Sequence, residues 1–367
     1  MTTAILIFIT SLALSYTLFP AVIIVLKKYK LLDLPGGRKI HTNLTPLMGG
    51  LPIFIGFALA VIIWMPIFYI AQYKFLIAGL IMILILGVRD DLTVLRAREK
   101  LVGQVLIASF LFFFCNVQLN SLFGLFGVYA IGPVLSYITT VFTIVVITNS
   151  YNLIDGIDGL AGSIGLIIVS LFGTWFFATG NFHLSYFCFA IAGGIVAFLS
   201  FNWAPSKIFL GDTGAAFIGA FIATCAIYFI NKNYLLDAGA FKFNATIATA
   251  IGLLIIPILD TIRIFVKRVA NGKSPLMPDK NHLHHMLLDI GFNHGQATTI
   301  LIGTNISFIL FVIGLKNYAD FIVLPSVIAV AFSLIMFLEV AHKKAMVIQA
   351  NEAETKPIKQ IFIKKSA

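Results

Sequence analysis

Charge is scarce in this sequence. Only 11 % of its 367 residues are Asp, Glu, Lys or Arg, 60 % are apolar, and mean hydropathy is +1.01. A soluble domain has about 25 % charged and about 45–50 % apolar residues. A chain of this length still presents a large surface that needs polar cover. The scarcity therefore excludes a soluble enzyme, and the apolar excess excludes a disordered chain. Cysteine is scarce too. Cys115, Cys188 and Cys225 lie in apolar runs without CxxC spacing, so neither a disulfide frame nor a zinc site is supported and they read as small buried residues. A P-loop is absent, which excludes an ATP-driven pump. The first apolar run has no basic n-region and no small-residue cleavage pattern, so it reads as a retained span.

What is present is long apolar runs. A helix needs about 20 apolar residues to cross about 30 Å of hydrocarbon. Eleven segments qualify, near 4–26, 47–70, 75–89, 101–120, 127–148, 159–178, 184–202, 209–231, 244–266, 297–315 and 320–341, the third of them short. The predicted fold is an all-α, polytopic membrane helical bundle of about eleven transmembrane helices. It forms one unit over 1–342, followed by a basic tail over 343–367.

The few charges are unevenly placed. Of 25 Lys and Arg residues, 21 lie in the odd-numbered loops and the C-terminal tail. By the positive-inside rule those loops are cytoplasmic, the N-terminus is outside and the C-terminus cytoplasmic. The net charge of +10 is therefore an orientation signal rather than a nucleic-acid signal. Of 15 acids, 13 share the same face, all but Asp237 and Asp320. An anionic leaflet attracts basic residues and repels acids, so the inner acids call for a metal, a cationic partner or catalysis.

Four inner segments carry them. The third loop holds Asp90-Asp91, adjacent carboxylates that repel unless a cation sits nearby; the bland reading is surface charge beside Arg96, Arg98 and Lys100. The next run holds Asn149, Asn152, Asp155 and Asp158 with no basic residue. A helix cap explains one Asp but not two Asp and two Asn, and hard divalent cations want such oxygen ligands. Phe209-Leu210-Gly211-Asp212-Thr213-Gly214 opens the eighth span, where Asp212 reads either as a cap or as a ligand beside glycines that admit a phosphate. Before it, Asn202-Trp203 opens a polar, aromatic loop suited to a flat base. The longest loop holds His282-Leu283-His284-His285, which lacks the Glu and Cys partners of common zinc sites. Histidines can instead donate to anionic oxygens. The first loop adds Arg38, Lys39 and His41, suited to a lipid phosphate or to headgroups in general. Asp260 stands apart, inside the ninth span with Arg263 three residues on, and that spacing predicts an intramembrane Asp260–Arg263 pair.

Carboxylates, amides, cations and histidines on one membrane face suit phosphoryl transfer with Mg²⁺ or Mn²⁺. Asp90-Asp91, the NxxNxxDGxDGLAG run from Asn149 to Gly162, FLGDTG at 209–214 and HLHH at 282–285 resemble the polyprenyl-phosphate N-acetylhexosamine-1-phosphate transferase superfamily. HLHH with the following LLDIGFNHGQA resembles its bacterial branch, which transfers N-acetylglucosamine-1-phosphate onto undecaprenyl phosphate. The resemblance runs in order from Arg38 to Gln296.

By position, the resemblance implies Mg²⁺ on Asp212 with help from Asn152. It implies Asp90 and Asp91 at the reaction centre, one of them deprotonating the lipid phosphate, and Asp155 beside the metal. Asp158, Asn202 and Phe209 would hold the uridine, with Asn149 in the same binding run. His282, His284 and His285 would meet diphosphate or sugar. Arg38, Lys39 and His41 would steer the lipid. The expected partners are a UDP-N-acetylhexosamine, undecaprenyl phosphate and the lipid bilayer, with no nucleic acid; a homodimer is an expectation of the family alone. The implied place is the bacterial inner (cytoplasmic) membrane with the site facing the cytoplasm. Asp91 is followed by Leu-Thr-Val rather than by the Lys of the translocase branch, which argues against a muramoyl-pentapeptide substrate. The competing class is a transporter, but transporters place polar sites near the midplane, and here the acids gather at one face.

Overall fold

The computed structural model describes residues 1–33, 45–272, 274 and 282–355. Apart from one two-residue ladder, its regular structure is helical, as a chain in hydrocarbon requires when every backbone amide must find a partner within its own segment. In order, the elements are α1 (Thr2–Lys28), β1 (Leu32–Asp33), β2 (Thr45–Pro46), α2 (Gly50–Trp64), α3 (Ile67–Gln72), α4 (Lys74–Thr93), α5 (Ala97–Cys115), a 3-10 turn (Leu125–Gly127), α6 (Pro133–Leu153), α7 (Leu160–Ala178), α8 (Phe182–Asn202), α9 (Gly211–Leu235), α10 (Thr246–Leu253), α11 (Ile255–Ala270), α12 (Leu283–Ile290), α13 (His294–Gly314) and α14 (Asp320–Thr355).

Each of the eleven apolar segments falls on one of these helices, except that 47–70 divides between α2 and α3 and 244–266 between α10 and α11. Among the described residues, seven helices are long and apolar enough to cross a membrane: α1, α6, α7, α8, α9, α13 and α14. The α10–α11 pair makes an eighth if its 83° bend lies within one span. Pro257 gives the bend a cause, because it has no N–H to donate to the carbonyl of Leu253. α2 has only 15 residues, and α4 and α5 carry charges at the ends where they meet.

The centre of the bundle is α9, buried over almost its whole length and packed against α4 and α6. α8 packs between α1 and α7. α1 and α14 leave most of their apolar surface open, as helices facing lipid tails do. At one end of the bundle, Asp320 accepts from the amides of Ile247 and Ala248 at 3.2 and 2.7 Å, so this acid caps α10. The opposite end collects the C-termini of α4, α6 and α8, the N-termini of α5, α7 and α9, and the short α12. The site is built there.

Candidate active site

The geometry starts with a glycine. A Cβ at Gly87 would lie 2.6 Å from the carbonyl oxygen of Asp212 and 2.6 Å from Cα of Thr213, so α4 touches the first turn of α9 backbone to backbone. One turn further along α4, Asp91 reaches over the N-terminus of α9. Its carboxylate accepts from the amides of Asp212 and Thr213 at 2.8 and 2.9 Å and from the Thr213 hydroxyl at 2.5 Å. A helix N-terminus leaves amides without intrahelical partners and carries partial positive charge. Asp91 supplies the missing acceptor from another helix. The turn into α9 passes through Gly211 at φ +72°, with Asp91 Oδ2 2.7 Å from where a Cβ would be. Asp212 itself does not cap α9.

Its neighbour Asp90 is buried. It accepts from the Leu95 amide at 2.8 Å and from the Lys100 ammonium at 2.9 Å. Lys100, at the start of α5, also bonds Asp212 Oδ1. The same oxygen accepts from the Asn152 amide at 2.5 Å. Asp212 Oδ2 has no protein donor among the described residues, and this side chain is about one-third exposed, more open than Lys100 or Asp90.

Asp155 lies in the turn between α6 and α7. Burial, reinforced by the charges of Asp212, Asp91 and Asp158, pushes its carboxyl up to about 8, against the pull of the Gly211 amide. Among the described residues, the four carboxyl groups of Asp90, Asp91, Asp155 and Asp212 gather around one ammonium, Lys100, which bonds Asp90 and Asp212. The site is short of positive charge.

The remaining predicted residues sit around this centre. Asp158 is buried and accepts from the Ser206 amide at 3.2 Å, while its carbonyl accepts from the Thr298 hydroxyl. Asn202 accepts from the Gly159 amide and donates to the Ile208 carbonyl, both at 2.9 Å. Both ends of its amide thus hold backbone, and it shapes the loop that carries the exposed Trp203 against Gly159. Phe209 donates to the Pro46 carbonyl and accepts from the Gly49 amide, pinning the segment after β2 to the entry of α9. Asn149 pairs amide to amide with Gln104 of α5, its Nδ2 2.6 Å from Oε1. Arg38, Lys39 and His41 lie outside the described residues.

The histidines form a second cluster. His282 and His284 lie parallel with centroids 5.5 Å apart, and His284 and His285 are 4.2 Å apart. The His284 ring lies directly on Gly156 of the DGxDG turn, so the two clusters touch. His284 is 2 % exposed, its Nε2 has no hydrogen-bond partner among the described residues, and burial drives its pKa well below the usual histidine range. The expected Asp260–Arg263 pair is not formed. Asp260 instead bonds His282 Nδ1 at 2.6 Å and the Leu283 amide at 2.7 Å, while Arg263 meets Glu339 at 3.4 Å. Both residues lie on the unbroken α11, so the cause is not local: the start of α12 supplies the donors of Asp260, and Glu339 of α14 meets Arg263.

Sequence reasoning passed over Lys100 and Gln104. Their signal was there: two polar residues at i and i+4 on one face of a helix that otherwise turns apolar.

A family model described as Glycosyl transferase family 4 matches residues 73–230, which include Asp90, Asp91, Lys100, Asn152, Asp155 and Asp212. The probable undecaprenyl-phosphate N-acetylglucosaminyl 1-phosphate transferase of Bacillus subtilis strain 168 is 30 % identical over 336 residues, spanning 91 % of this chain and 89 % of the relative. The chain belongs to glycosyl transferase family 4. Two further relatives agree. The decaprenyl-phosphate N-acetylglucosaminephosphotransferase of Mycolicibacterium smegmatis is 30 % identical, spanning 73 % of this chain and 71 % of the relative. The undecaprenyl-phosphate alpha-N-acetylglucosaminyl 1-phosphate transferase of Escherichia coli O157:H7 is 28 % identical, spanning 86 % of this chain and 83 % of the relative. This family 4 protein is therefore a transferase and a multi-pass membrane protein.

The family reading implies a divalent cation, and the donor set can be tested against one. Among the described residues no three His, Cys, Asp or Glu side chains converge as a closed cage. Mg²⁺ does not ask for one: it keeps waters and takes one or two carboxylates plus substrate phosphates. The open oxygen of Asp212, with Asp155 nearby and a surplus of negative charge around both, fits that pattern.

Proposed function

We propose that this family 4 transferase moves N-acetylhexosamine-1-phosphate, with N-acetylglucosamine the first choice of sugar, from a UDP-sugar to undecaprenyl phosphate and releases UMP. The reaction is the first membrane step of a cell-envelope polysaccharide, of the lipopolysaccharide or teichoic acid kind. It occurs at the cytoplasmic face of the bacterial inner membrane, in a chain of eleven spans with the N-terminus outside. The observation that carries the reading is the convergence of four carboxylates, an ammonium and three histidines from separate helices and turns at one end of the bundle.

Bound Mg²⁺ supplies charge neutralisation on the diphosphate of the donor. Asp212 holds it, with Asn152 fixing the carboxylate. Lys100 holds Asp212 and Asp90 together in spite of their like charge. Asp91 holds the first turn of α9, and hence Asp212, in place. A phosphate monoester has a second pKa of about 6. The lipid phosphate is thus mostly deprotonated at neutral pH, and the reaction makes little demand on Asp90 or Asp91 as a base. Its oxygen forms a bond to the sugar-linked phosphorus as the bond to the UMP oxygen breaks. The Trp203 loop held by Asn202, with Asp158 and Phe209 beside it, receives the uridine, and the histidine run meets the diphosphate or sugar.

The test uses membranes containing the protein, undecaprenyl phosphate, Mg²⁺ and a panel of UDP-amino sugars, with UMP and lipid-linked sugar quantified. Equal yields of both with UDP-N-acetylglucosamine are expected, and Asp212→Ala should abolish them at any Mg²⁺ concentration. Release of UDP instead of UMP, or solute flux through proteoliposomes without UMP, would overturn the reading.

A further inference from the structure

Asp260 has no place in the chemistry described so far, yet it is among the most completely buried acids in the chain, at 1 % exposure. A carboxylate near the end of an apolar span is costly unless paired. Its expected cation, Arg263, is turned toward Glu339. What faces Asp260 is the start of α12: Oδ2 is 2.6 Å from His282 Nδ1, and Oδ1 accepts from the Leu283 amide at 2.7 Å. One carboxylate thus does two things at one point, capping the helix that carries the histidine run and gripping the run's first ring.

The grip has a chemical consequence. A carboxylate facing Nδ1 selects the tautomer with the proton on Nδ1 and leaves Nε2 as the nitrogen that meets substrate. The same contact sets the plane of the ring, on which His284 stacks at 3° and through which the run is aligned with Gly156.

We propose that Asp260 is a positioning residue for the transfer reaction, acting through His282 by fixing its tautomer and ring orientation. The proposal rests on the transferase reading above for its kinetic arm only.

Asp260→Asn separates this role from a structural one. The amide oxygen still accepts from Leu283, so the cap survives. The amide nitrogen now faces the ring and demands a lone pair on Nδ1, which moves the proton to Nε2. The expected result is a fall in kcat for UMP release of roughly 10–100-fold with KM little changed and the thermal transition retained. His282→Ala should lose a similar factor, and the double variant should lose no more than the larger single loss. Full turnover in Asp260→Asn, or losses that multiply in the double variant, would overturn the proposal.

A second measurement does not depend on turnover. Diethyl pyrocarbonate acylates an unprotonated imidazole nitrogen, and mass spectrometry reads each histidine separately. In the wild type Nε2 of His282 is the reactive atom. In Asp260→Asn it carries the proton, so labelling of His282 should slow several-fold, while His183 at the far end of the bundle is unchanged. A rate that is unchanged or faster would show a ring merely loosened and would overturn the proposal. If the wild type releases no UMP, the transferase reading fails, and the labelling still decides whether Asp260 sets the state of His282.

Discussion

A single methyl group, placed where it touches no charged atom, should disable this enzyme. The perturbation is Gly87→Ala on α4. The added carbon would stand 2.6 Å from the Asp212 carbonyl oxygen and the Thr213 Cα, and 2.8 Å from the Asp212 carbonyl carbon. Non-bonded carbon pairs settle at about 3.5–4.0 Å, so α4 and the entry of α9 must separate by about 0.9 Å. All three obstacles are backbone, and no rotamer change relieves them. Asp91 sits one turn further along the same helix and moves with it. Its bonds to the Asp212 and Thr213 amides, now 2.8 and 2.9 Å, would stretch to about 3.7–3.8 Å, beyond the range of about 2.7–3.2 Å for N–H···O bonds.

Charge-assisted hydrogen bonds contribute about 1.5–3 kcal/mol each. Because water reaches this end of the bundle, a net loss of about 2–4 kcal/mol at the α9 N-terminus is expected. The catalytic effect is larger. Asp212 is displaced by nearly 1 Å, which typically costs about 10²-fold in rate. The assay is UMP release in membranes beside the thermal unfolding of purified protein. Gly103→Ala is the control: its methyl meets the flexible tip of Leu86 at 2.8 and 2.9 Å, which can rotate away. Gly87→Ala with normal kcat/KM would refute the claim that backbone contact between α4 and α9 places Asp212.

Three further expectations follow from the same geometry. Lys100→Met keeps the apolar stem but leaves Asp90 and Asp212 without their ammonium; breaking a buried pair costs about 3–5 kcal/mol, reduced here because Lys100 and Asp212 are partly exposed, and UMP release should fall at least tenfold (~1.4 kcal/mol in the barrier), with Lys100→Arg restoring only part of it. His284 is held neutral by burial, so the unfolded chain takes up a proton below about pH 6.5 that the folded one resists; its contribution is complete above that pH and is lost on acidification, so the thermal midpoint should drop from pH 7 to 5 by less in His284→Asn than in the wild type. Chelation of divalent cations should stop UMP release, and added Mg²⁺ or Mn²⁺ should restore it; turnover that survives chelation would refute the metal role of Asp212.

The candidate site residues were legible one by one. Asp90-Asp91, Asn152, Asp155, Asp158, Asp212 and the histidine run stand out because polar residues without an obvious solvation role are conspicuous in an apolar chain. Partners were not legible. Asp260 and Arg263 share a helix face by spacing, and spacing sees only partners on the same helix. α11 is unbroken between them, yet Asp260 goes to His282 and Arg263 to Glu339, both from other helices. Lys100 read as one of several basic residues near the membrane surface, and its i, i+4 spacing with Gln104 marks a helix face without saying what that face meets. What distinguishes it is Asp212, more than a hundred residues away.

Composition and hydropathy by themselves determined that this chain is a membrane bundle of helices with its acids gathered at one face. Those properties are sums over local segments, and hydrocarbon admits few other backbones. The order of four motifs determined the family. Only the tertiary structure decided what each acid meets: that Asp91 caps a helix, that Asp212 keeps an open oxygen, that Asp155 is starved of cations, and that Asp260 bonds His282. The physical reason is that a carboxylate's role depends on the donors and charges within about 4 Å of it. Here those arrive from helices far apart in the chain, brought together by backbone contacts at residues, such as Gly87, that carry no chemistry of their own.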